Sequence, residues 1–382
     1  MSRDLRQIGV ATLAGLGLLL GGCEPGAKQT TQTGYRGAGL DQIVDLSHVA
    51  KAAVIPPSPY PLPPDGGPRA SESYQNLKVL GGISKDRFDH LMAEMNQWVA
   101  PPEQGCNYCH NPENMASDEK YTKVVARRML QMTQTINSRW SSHVQKTGVT
   151  CYTCHRGNAV PENKWALAEG IPNPGSIRGN KHGQNTPDIN VGYASLPSDP
   201  FSFYLNGQTQ IRVAGDSALP SPNHVVSIKD AEKTYGLMMH ISSALGVNCT
   251  YCHNTQSFRA WNLSRAQRAT AYYGIRMVRN VNEEYISSLR AVFPAYRKGP
   301  HGDPYKVNCT TCHQGLSKPL GGVSMIAQAP ALKGAPQPTA TPEGGPAAAK
   351  TVPAAFNTPT AMTGAKPTAP TSNPPTVTTG RK

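Results

Sequence analysis

The sequence predicts a mainly α-helical protein with much irregular structure, built from two similar halves. Apolar residues repeat with helical spacing in only a few segments, and 34 prolines and 36 glycines interrupt the 382-residue chain. A Cys-x-x-Cys-His motif occurs four times, and the residues around its first two copies resemble those around the last two. Short helices joined by irregular segments, in a duplicated arrangement, account for all three observations.

The Cys-x-x-Cys-His motif is the attachment signature of a c-type haem. Its two thiols bond covalently to the porphyrin, and its histidine becomes the proximal ligand of the iron. The sequence therefore predicts four covalently bound haem c groups, in a multihaem cytochrome c of two pseudo-symmetric two-haem halves. The residues in these roles are Cys106, Cys109 and His110 (motif 1), Cys151, Cys154 and His155 (motif 2), Cys249, Cys252 and His253 (motif 3), and Cys309, Cys312 and His313 (motif 4).

Zinc binding and a thioredoxin-type dithiol are the alternative uses of a Cys-x-x-Cys pair. Two such pairs can form an all-cysteine zinc site, but neither alternative explains why a histidine follows the second cysteine in every copy. The motifs use eight of the nine cysteines and leave only Cys23. No structural disulfide is therefore expected.

The N-terminus resembles an export signal. Arg3 and Arg6 precede an apolar run over 8–20, which is shorter than the about 20 residues needed to span a bilayer. Leu20-Gly-Gly-Cys23 resembles the lipobox of bacterial lipoproteins, so we predict a lipoprotein signal peptide over 1–22 and lipidation of Cys23. An ordinary signal peptide or an uncleaved anchor is the alternative. Each places the protein outside the cytoplasm.

Composition predicts five further segments. They are a lipid-anchored extended arm (23–83), a first two-haem unit (84–165), a linker (166–228), a second two-haem unit (229–323) and a disordered Pro/Ala/Thr-rich tail (324–382). Helical spacing predicts helices over 84–100, 117–146, 229–245 and 264–292, the last opened by a capping box from Ser264 to Gln267. The linker contains one strand-like run, at 210–214.

The two units repeat one another. Cys106-Asn-Tyr-Cys-His-Asn matches Cys249-Thr-Tyr-Cys-His-Asn, and the second and fourth motifs are similarly alike. Arg128-Met129 corresponds to Arg276-Met277. Duplication of a two-haem unit is the simplest explanation.

The formal charge of +13 raises nucleic acid as a partner. Each haem brings two propionates, however, so four haems add about −8 before the iron charge is counted. Part of the basic surplus then neutralises the cofactors, and no nucleic-acid partner is expected.

The second axial position of each iron decides whether a haem site is closed or open to a substrate. Met238 lies 11 residues before Cys249, and Met129 lies 22 residues before Cys151, each on a predicted helix. Methionine on a helix is usually core filling, but its repeated placement before a motif favours ligation. His143 is 14 residues from Met129, about 21 Å along a continuous helix, so the two cannot serve the same haem.

Residues 74–320 resemble the tetrahaem cytochrome c subunit of the purple-bacterial photosynthetic reaction centre. The resemblance rests on the four motifs together with Val124-Val-Ala-Arg-Arg-Met129, Gly148-Val-Thr-Cys-Tyr-Thr-Cys-His155 and Gly274-Ile-Arg-Met-Val-Arg279. The lipobox agrees with the lipid-anchored members of that family.

The resemblance implies a methionine as distal ligand of the first three haems and a histidine for the fourth. Carried over by motif, it assigns Met92 to the haem of His110, Met129 to that of His155, Met238 to that of His253, and His143 to that of His313.

Two of these assignments have competitors within the sequence. Met95 is 11 residues before Cys106 and so reproduces the spacing of Met238, although Met92 matches the family pattern and is favoured. Internal repetition nominates Met277 for the fourth haem, whereas the family pattern nominates His143, which we adopt.

The resemblance also implies an electron-transfer subunit, not an enzyme, on the periplasmic face of the bacterial inner photosynthetic membrane. The electron donor would be a soluble cytochrome c or a high-potential iron-sulfur protein. The acceptor would be the photo-oxidised bacteriochlorophyll special pair held by the L- and M-type membrane subunits, with the haem of His253 nearest to it and that of His110 outermost. The alternatives are a periplasmic multihaem reductase, which needs an open distal site, and a respiratory electron carrier.

Overall fold

The computed structural model describes residues 27–32, 41–167, 188–209, 211, 213 and 228–334. Helices supply most of the regular structure in these ranges, and strands are few and short. The prediction of a mainly helical chain with much irregular structure is confirmed. The predicted signal peptide, Cys23, residues 335–382 and all but two residues of the strand-like run at 210–214 lie outside the described residues.

The elements before and within the first two motifs come in the following order. An antiparallel pair of strands, β1 (Lys28–Gln32) and β2 (Asp41–Asp45), precedes helix α1 (Leu46–Ala52). The helices α2 (Ala70–Ser73), α3 (Lys85–Val99), α4 (Tyr121–Arg139), α5 (Ser141–Val144) and α6 (Cys151–His155) follow, with a 3₁₀ turn at Gly105–Tyr108 between α3 and α4.

The remaining elements lead to the last two motifs. They are β3 (Lys164–Trp165), α7 (Ser202–Leu205), α8 (Ile228–Leu245), α9 (Ala266–Asn280), β4 (Lys306–Val307) and α10 (Cys309–His313). A π-helical segment at Val281–Ile286 continues α9, and 3₁₀ turns occupy Ile189–Val191, Cys249–Tyr251, Ser287–Leu289, Ala295–Arg297, Pro319–Gly322 and Pro330–Leu332. Because β3 pairs antiparallel with β4, backbone hydrogen bonds join the two predicted units.

The long helices begin and end where local chemistry requires. Helix α3 buries Leu91 and Trp98, which are seven residues apart on one face, and Pro101-Pro102 follows its last turn. Helix α8 ends at Gly246, whose φ is +63°. A Cβ on Gly246 would lie 2.2 Å from the carbonyl oxygen of Gly315, so only glycine lets α8 approach the segment that follows α10.

Two predicted helices are shorter than expected. The helix predicted over 117–146 is interrupted at Trp140, whose φ/ψ of −111°/29° separates α4 from α5. The helix predicted over 264–292 is α-helical only to Asn280. The capping box at Ser264 is wrong: the helix is capped at Arg265, and the Ser264 hydroxyl donates to the carbonyl of Ala260 instead.

Two segments expected to lie outside the core are buried within it. In the predicted linker, Phe201, Tyr204 and Leu205 are almost fully buried against Leu237 of α8. The predicted disordered tail is wrong for residues 324–334, where Met325 and Leu332 are buried in a second apolar cluster. Both segments are short apolar runs in proline- and glycine-rich surroundings, so they bury their side chains without forming long helices.

The predicted extended arm is only partly extended. It contains β1, β2, α1 and α2, whereas residues 54–68, which hold most of its prolines, have no regular secondary structure. An Asp45 carboxylate caps α1 by accepting from the backbone N–H groups of Ser47 and His48.

Candidate haem-binding site

The four motifs adopt two local conformations. Motifs 1 and 3 begin as 3₁₀ turns, whereas motifs 2 and 4 are the five-residue helices α6 and α10. In α10 the Asn308 side chain accepts from the N–H of Thr311 at 3.0 Å, and the Thr311 hydroxyl accepts from the N–H of Asn308 at 2.9 Å. Each conformation places the two cysteines, three residues apart, on one side of a single turn.

A cavity of about 800 Å³ lies against motifs 1 and 2. Its lining is mostly apolar and includes both cysteines and the histidine of each motif, with Tyr108, Leu130 and Ile136. Met92 and Met95 of α3 and Met129 of α4 line the same cavity. Thiols, imidazoles and thioethers around a large apolar space fit a covalently held porphyrin with its axial ligands.

The motif histidines are oriented by the backbone. Nδ1 of His110, His155 and His313 lies 3.1, 2.8 and 2.8 Å from the carbonyl oxygens of residues 115, 158 and 316, respectively. Because each Nδ1 donates its proton to a carbonyl, each Nε2 is left as the free lone pair that binds a metal. His253 is approached in the same way by the backbone of Phe258, without a complete hydrogen bond.

Burial disfavours the charged form of three of these histidines. It lowers the pKa of His155 and His253, and it lowers the pKa of His313 to about 4. Burial also raises the pKa of the Cys151 and Cys309 thiols to about 12. Neutral imidazole is the form that binds iron, and these thiols lack the lowered pKa of a reactive redox dithiol.

His143, on α5, faces His313. The centres of the two imidazole rings are 6.0 Å apart, and His143 Nδ1 lies 2.9 Å from the carbonyl oxygen of Thr270. A metal–imidazole bond is about 2 Å long in zinc sites, and the bonded nitrogen is roughly 1 Å from the centre of its ring. Two imidazoles on opposite sides of one metal ion therefore have ring centres about 6 Å apart. The two rings, whose planes are inclined by 66°, would thus be far enough apart to hold one metal ion between them.

Helix α9 approaches the His143 ring closely at Gly274. A Cβ at that position would lie 2.5 Å from His143 Cε1 and 2.8 Å from Nδ1. Glycine is therefore required if the His143 ring is to stay between α9 and His313.

The other candidate methionines lie on helices. Met238 is partly buried on α8 and packs against the core cluster that contains Leu237. Met277, the competitor for the fourth haem, is 7 % exposed in that same cluster and packs with Ile275 and Val278 on α9.

The sequence analysis missed the contribution of residues 41–60, here called the strap, which contacts all four motif regions in turn. Gln42 Nε2 donates to the carbonyl of Gly246 at 2.8 Å, and Gln42 Oε1 accepts from the N–H of Asn248 at 3.0 Å, just before motif 3. His48 Nε2 lies 3.1 Å from the carbonyl oxygen of Gln314, just after motif 4.

The strap continues to motif 2 and to the helix before motif 1. Arg156 Nη1 donates to the carbonyl of Ala52 at 2.8 Å, and the Tyr152 hydroxyl donates to that of Val54 at 3.3 Å. The Ser58 hydroxyl donates to the buried Glu94 carboxylate of α3 at 2.6 Å. No local pattern signals these contacts, because their partners are 36 to 266 residues away in the sequence.

These features define a protein that carries covalently bound haem c. Comparison with known proteins gives the family. The family model of the photosynthetic reaction centre cytochrome C subunit matches residues 24–333. The chain is 51% identical over 320 residues to the photosynthetic reaction center cytochrome c subunit of Rubrivivax gelatinosus, covering 83% of this chain and 87% of that protein.

Two further relatives carry the same name. The Thermochromatium tepidum protein is 47% identical over 317 residues, covering 82% of this chain and 78% of the relative, and the Roseobacter denitrificans protein is 37% identical over 350 residues, covering 85% and 91%. The chain belongs to the cytochrome c subunits of photosynthetic reaction centres, as its motifs predicted.

Membership of this family makes the protein an electron-transfer subunit of a membrane-associated photosynthetic complex. It carries covalently bound haem c and delivers electrons to the reaction centre. Within the described residues, every helix is too short or too polar to cross a membrane.

Proposed function

We propose that the chain holds four haem c groups, one at each motif, and passes electrons from a soluble periplasmic carrier to the photo-oxidised bacteriochlorophyll pair. When bound, each haem supplies a reversible one-electron iron couple. The observation that carries the proposal is that the four motif regions contact one another in one continuous series.

Three contacts support the order 1–2–4–3 along this series. Motifs 1 and 2 line one cavity. Motifs 2 and 4 meet where the Sγ atoms of Cys154 and Cys312 are 2.7 Å apart. Motif 4 is tied to the helix before motif 3, because the Gly315 N–H donates to the carbonyl of Ala244 at 2.8 Å.

The strap supports the same order independently. Read from residue 42 to residue 60, it contacts the regions of motifs 3, 4, 2 and 1 in that sequence. Motifs 3 and 1 are thus the two ends of the series, and motifs 4 and 2 are its middle.

Corresponding backbone features support a duplicated two-haem unit, with halves at 84–165 and 229–323. The carbonyl that faces each motif histidine comes five residues later in motifs 1 and 3 and three residues later in motifs 2 and 4. The residues after His155 and His313 are both left-handed, Arg156 with φ 52° and Gln314 with φ 50°.

One pair of hydrogen bonds favours Met92 over Met95 as distal ligand of the first haem. The N–H of Gly157, just after motif 2, donates to the carbonyl of Trp98 on α3 at 3.0 Å. In the same way, the N–H of Gly315, just after motif 4, donates to the carbonyl of Ala244 on α8. Trp98 and Ala244 are therefore equivalent positions. Met92 precedes Trp98 by six residues and Met238 precedes Ala244 by six, so Met92 is the counterpart of Met238.

The full axial set in this proposal retains the family pattern. The proximal ligands are His110, His155, His253 and His313, and the respective distal ligands are Met92, Met129, Met238 and His143. The 6.0 Å between the His143 and His313 rings supports histidine at the fourth site. Bis-histidine ligation gives that site a lower potential than a comparable Met/His site.

The strap also supports an orientation on the periplasmic face of the inner membrane. Cys23, the proposed lipid attachment site, is five residues before Lys28, a span of at most about 18 Å, and Lys28 pairs with Asp45 at the start of α1. The lipid anchor would therefore enter near motifs 3 and 4, in the half of the series that ends at motif 3. This end would face the L- and M-type membrane subunits.

Exposed apolar side chains near motif 3 fit that contact. Phe258, Trp261 and Leu263 are 49 %, 53 % and 52 % exposed in the segment just after His253. Clustered apolar exposure of this kind marks protein contact surfaces. Motif 1, at the opposite end, would face the soluble donor, a cytochrome c or a high-potential iron-sulfur protein.

Redox titration of His143→Met tests the ligand assignment. We expect the potential of one haem to rise, because a Met/His pair replaces a bis-histidine pair. Identical titrations of all four haems in the variant and the native protein would show that His143 is not a ligand. For the first haem, Met92→Leu should create a carbon monoxide-binding site, and Met95→Leu is the matched control that should not.

Flash illumination of membranes tests the electron pathway. A flash should oxidise the haems of the native complex, and an added soluble donor should re-reduce them. Pyridine haemochrome analysis of the purified protein should give four haems per chain. Carbon monoxide binding to the native reduced protein would instead indicate an open site and favour a reductase.

A further inference from the structure

Arg156 places a buried positive charge at the junction of motifs 2 and 4. It follows His155 directly, and its guanidinium lies 5.6 Å from the centre of the Tyr152 ring. One nitrogen, Nη1, donates to the Ala52 carbonyl of the strap, whereas Nε and Nη2 are buried without a hydrogen-bond partner. A guanidinium stays protonated at neutral pH even when burial disfavours its charge.

The protein side chains around this charge are neutral once haem is attached, so any compensating negative charge comes from the haem propionates. Its main electrostatic neighbours are Tyr152, Cys154 and Cys312, and among the described residues it forms no ion pair with a carboxylate. The two cysteines are the second thiols of motifs 2 and 4, in contact with one another. Thioether formation removes their ability to ionise, so nothing among these neighbours compensates the charge.

The backbone at this position does not explain the choice of arginine. Gln314, the residue that follows the histidine of motif 4, adopts nearly the same left-handed conformation with a neutral side chain. The equivalent positions therefore differ in charge and not in conformation.

We propose that Arg156 is a shared positioning charge that raises the reduction potentials of the second and fourth haems together. The inference rests on the proposed function, because it needs haem at both motifs. Oxidation adds a positive charge at an iron, and a fixed cation nearby in a medium of low dielectric disfavours that step. Arg156 is two residues after Cys154, whose Sγ contacts that of Cys312, so its charge acts on both middle members of the series and less on the ends.

The expected effect follows from Coulomb's law. A unit charge about 10 Å from an iron, at an effective dielectric constant of about 20, changes the redox equilibrium roughly tenfold. A tenfold change corresponds to about 59 mV for a one-electron couple.

The test is a potentiometric titration of Arg156→Gln, Arg156→Met and Arg156→Lys, with haem content measured first. Glutamine suits the backbone here, as Gln314 indicates. At a fixed ambient potential we expect the ratio of reduced to oxidised haem to fall roughly tenfold at the second and fourth sites in the Gln and Met variants, and to change little in the Lys variant. Arg69→Gln is the control, because Arg69 is half-exposed and paired with Asp65.

Three results would overturn the inference. One is an unchanged titration in the neutral variants, and another is an equal shift in the Lys variant, which would implicate packing and not charge. The third is haem attachment in the Lys variant but in neither neutral variant, which would make Arg156 an assembly residue. A native protein with fewer than four haems would instead contradict the proposed function, so the two failures are distinguishable.

Discussion

Replacing Gly274 by alanine should displace His143 from the fourth haem site. The added Cβ would lie 2.5 Å from His143 Cε1, whereas ordinary van der Waals contact begins at 3.4 Å. The ring or helix α9 must therefore move by about 0.9 Å, and metal sites tolerate only about 0.2 Å in ligand distance. The Thr270 carbonyl that holds His143 Nδ1 is on the same helix, so a shift of α9 would disturb the ring's orientation as well.

Carbon monoxide binding and low-temperature electron paramagnetic resonance of the oxidised protein measure this effect. We expect the variant to lose one bis-histidine low-spin signal and to bind carbon monoxide at one reduced haem. Alanine is favoured over glycine within a helix by about 1 kcal/mol, so any loss of stability would be steric in origin. Gly82→Ala is the matched control, since a Cβ there meets nothing within 4 Å. Native spectra and native redox titration in Gly274→Ala would refute the assigned role of this packing.

Three more outcomes follow from the structure. Gln42→Ala should lower the free energy of unfolding by about 1–3 kcal/mol, measured by denaturant titration, because it removes the two hydrogen bonds that Gln42 makes with the Gly246 carbonyl and the Asn248 N–H of a part-buried loop. Although burial opposes it, hydrogen bonds from Arg127 and Asn76 lower the pKa of Asp118 below its ordinary 3.8. Its contribution is therefore complete above about pH 5 and is lost as the pH falls below 3.8, so Asp118→Asn should flatten the acid limb of the stability profile. Truncation after residue 334 should leave haem spectra and stability unchanged, whereas truncation after 323 should destabilise the protein, since each buried side chain such as Leu332 contributes about 2–5 kcal/mol.

Local sequence patterns were sufficient for features that depend on local chemistry. The spacing of apolar residues located helices α3 and α8 to within a residue or two, because each buries one face against its neighbours. Each Cys-x-x-Cys-His motif forms a short helical turn, as its close spacing allows. Proline and glycine content correctly indicated irregular backbone between residues 54 and 68.

Composition was a poor guide to burial. Phe201, Tyr204 and Leu205 stand among prolines, glycines and asparagines, and Leu332 stands at the start of a Pro/Ala-rich stretch. Each is fully or almost fully buried, because a few apolar side chains can fill a gap between helices without belonging to a long periodic run. The predicted capping box at Ser264 was also wrong, because the carbonyl of Ala260 competes for the Ser264 hydroxyl.

The position of each motif relative to the others could not be read from local patterns, because the contacts that set it join distant residues. Gln42 and Asn248 are 206 residues apart, and His48 and Gln314 are 266 residues apart. His143 is the one residue whose assignment to a distant motif could be argued from the sequence, because that argument uses a distance along a helix. On a continuous helix, a side chain 14 residues beyond Met129 is about 21 Å away, so the sequence predicts that the two residues serve different motifs if both bind iron. The helix breaks at Trp140, so the 21 Å of a continuous helix does not apply to the folded chain, and the assignment depends instead on the observed position of the His143 ring opposite His313, 170 residues later in the sequence.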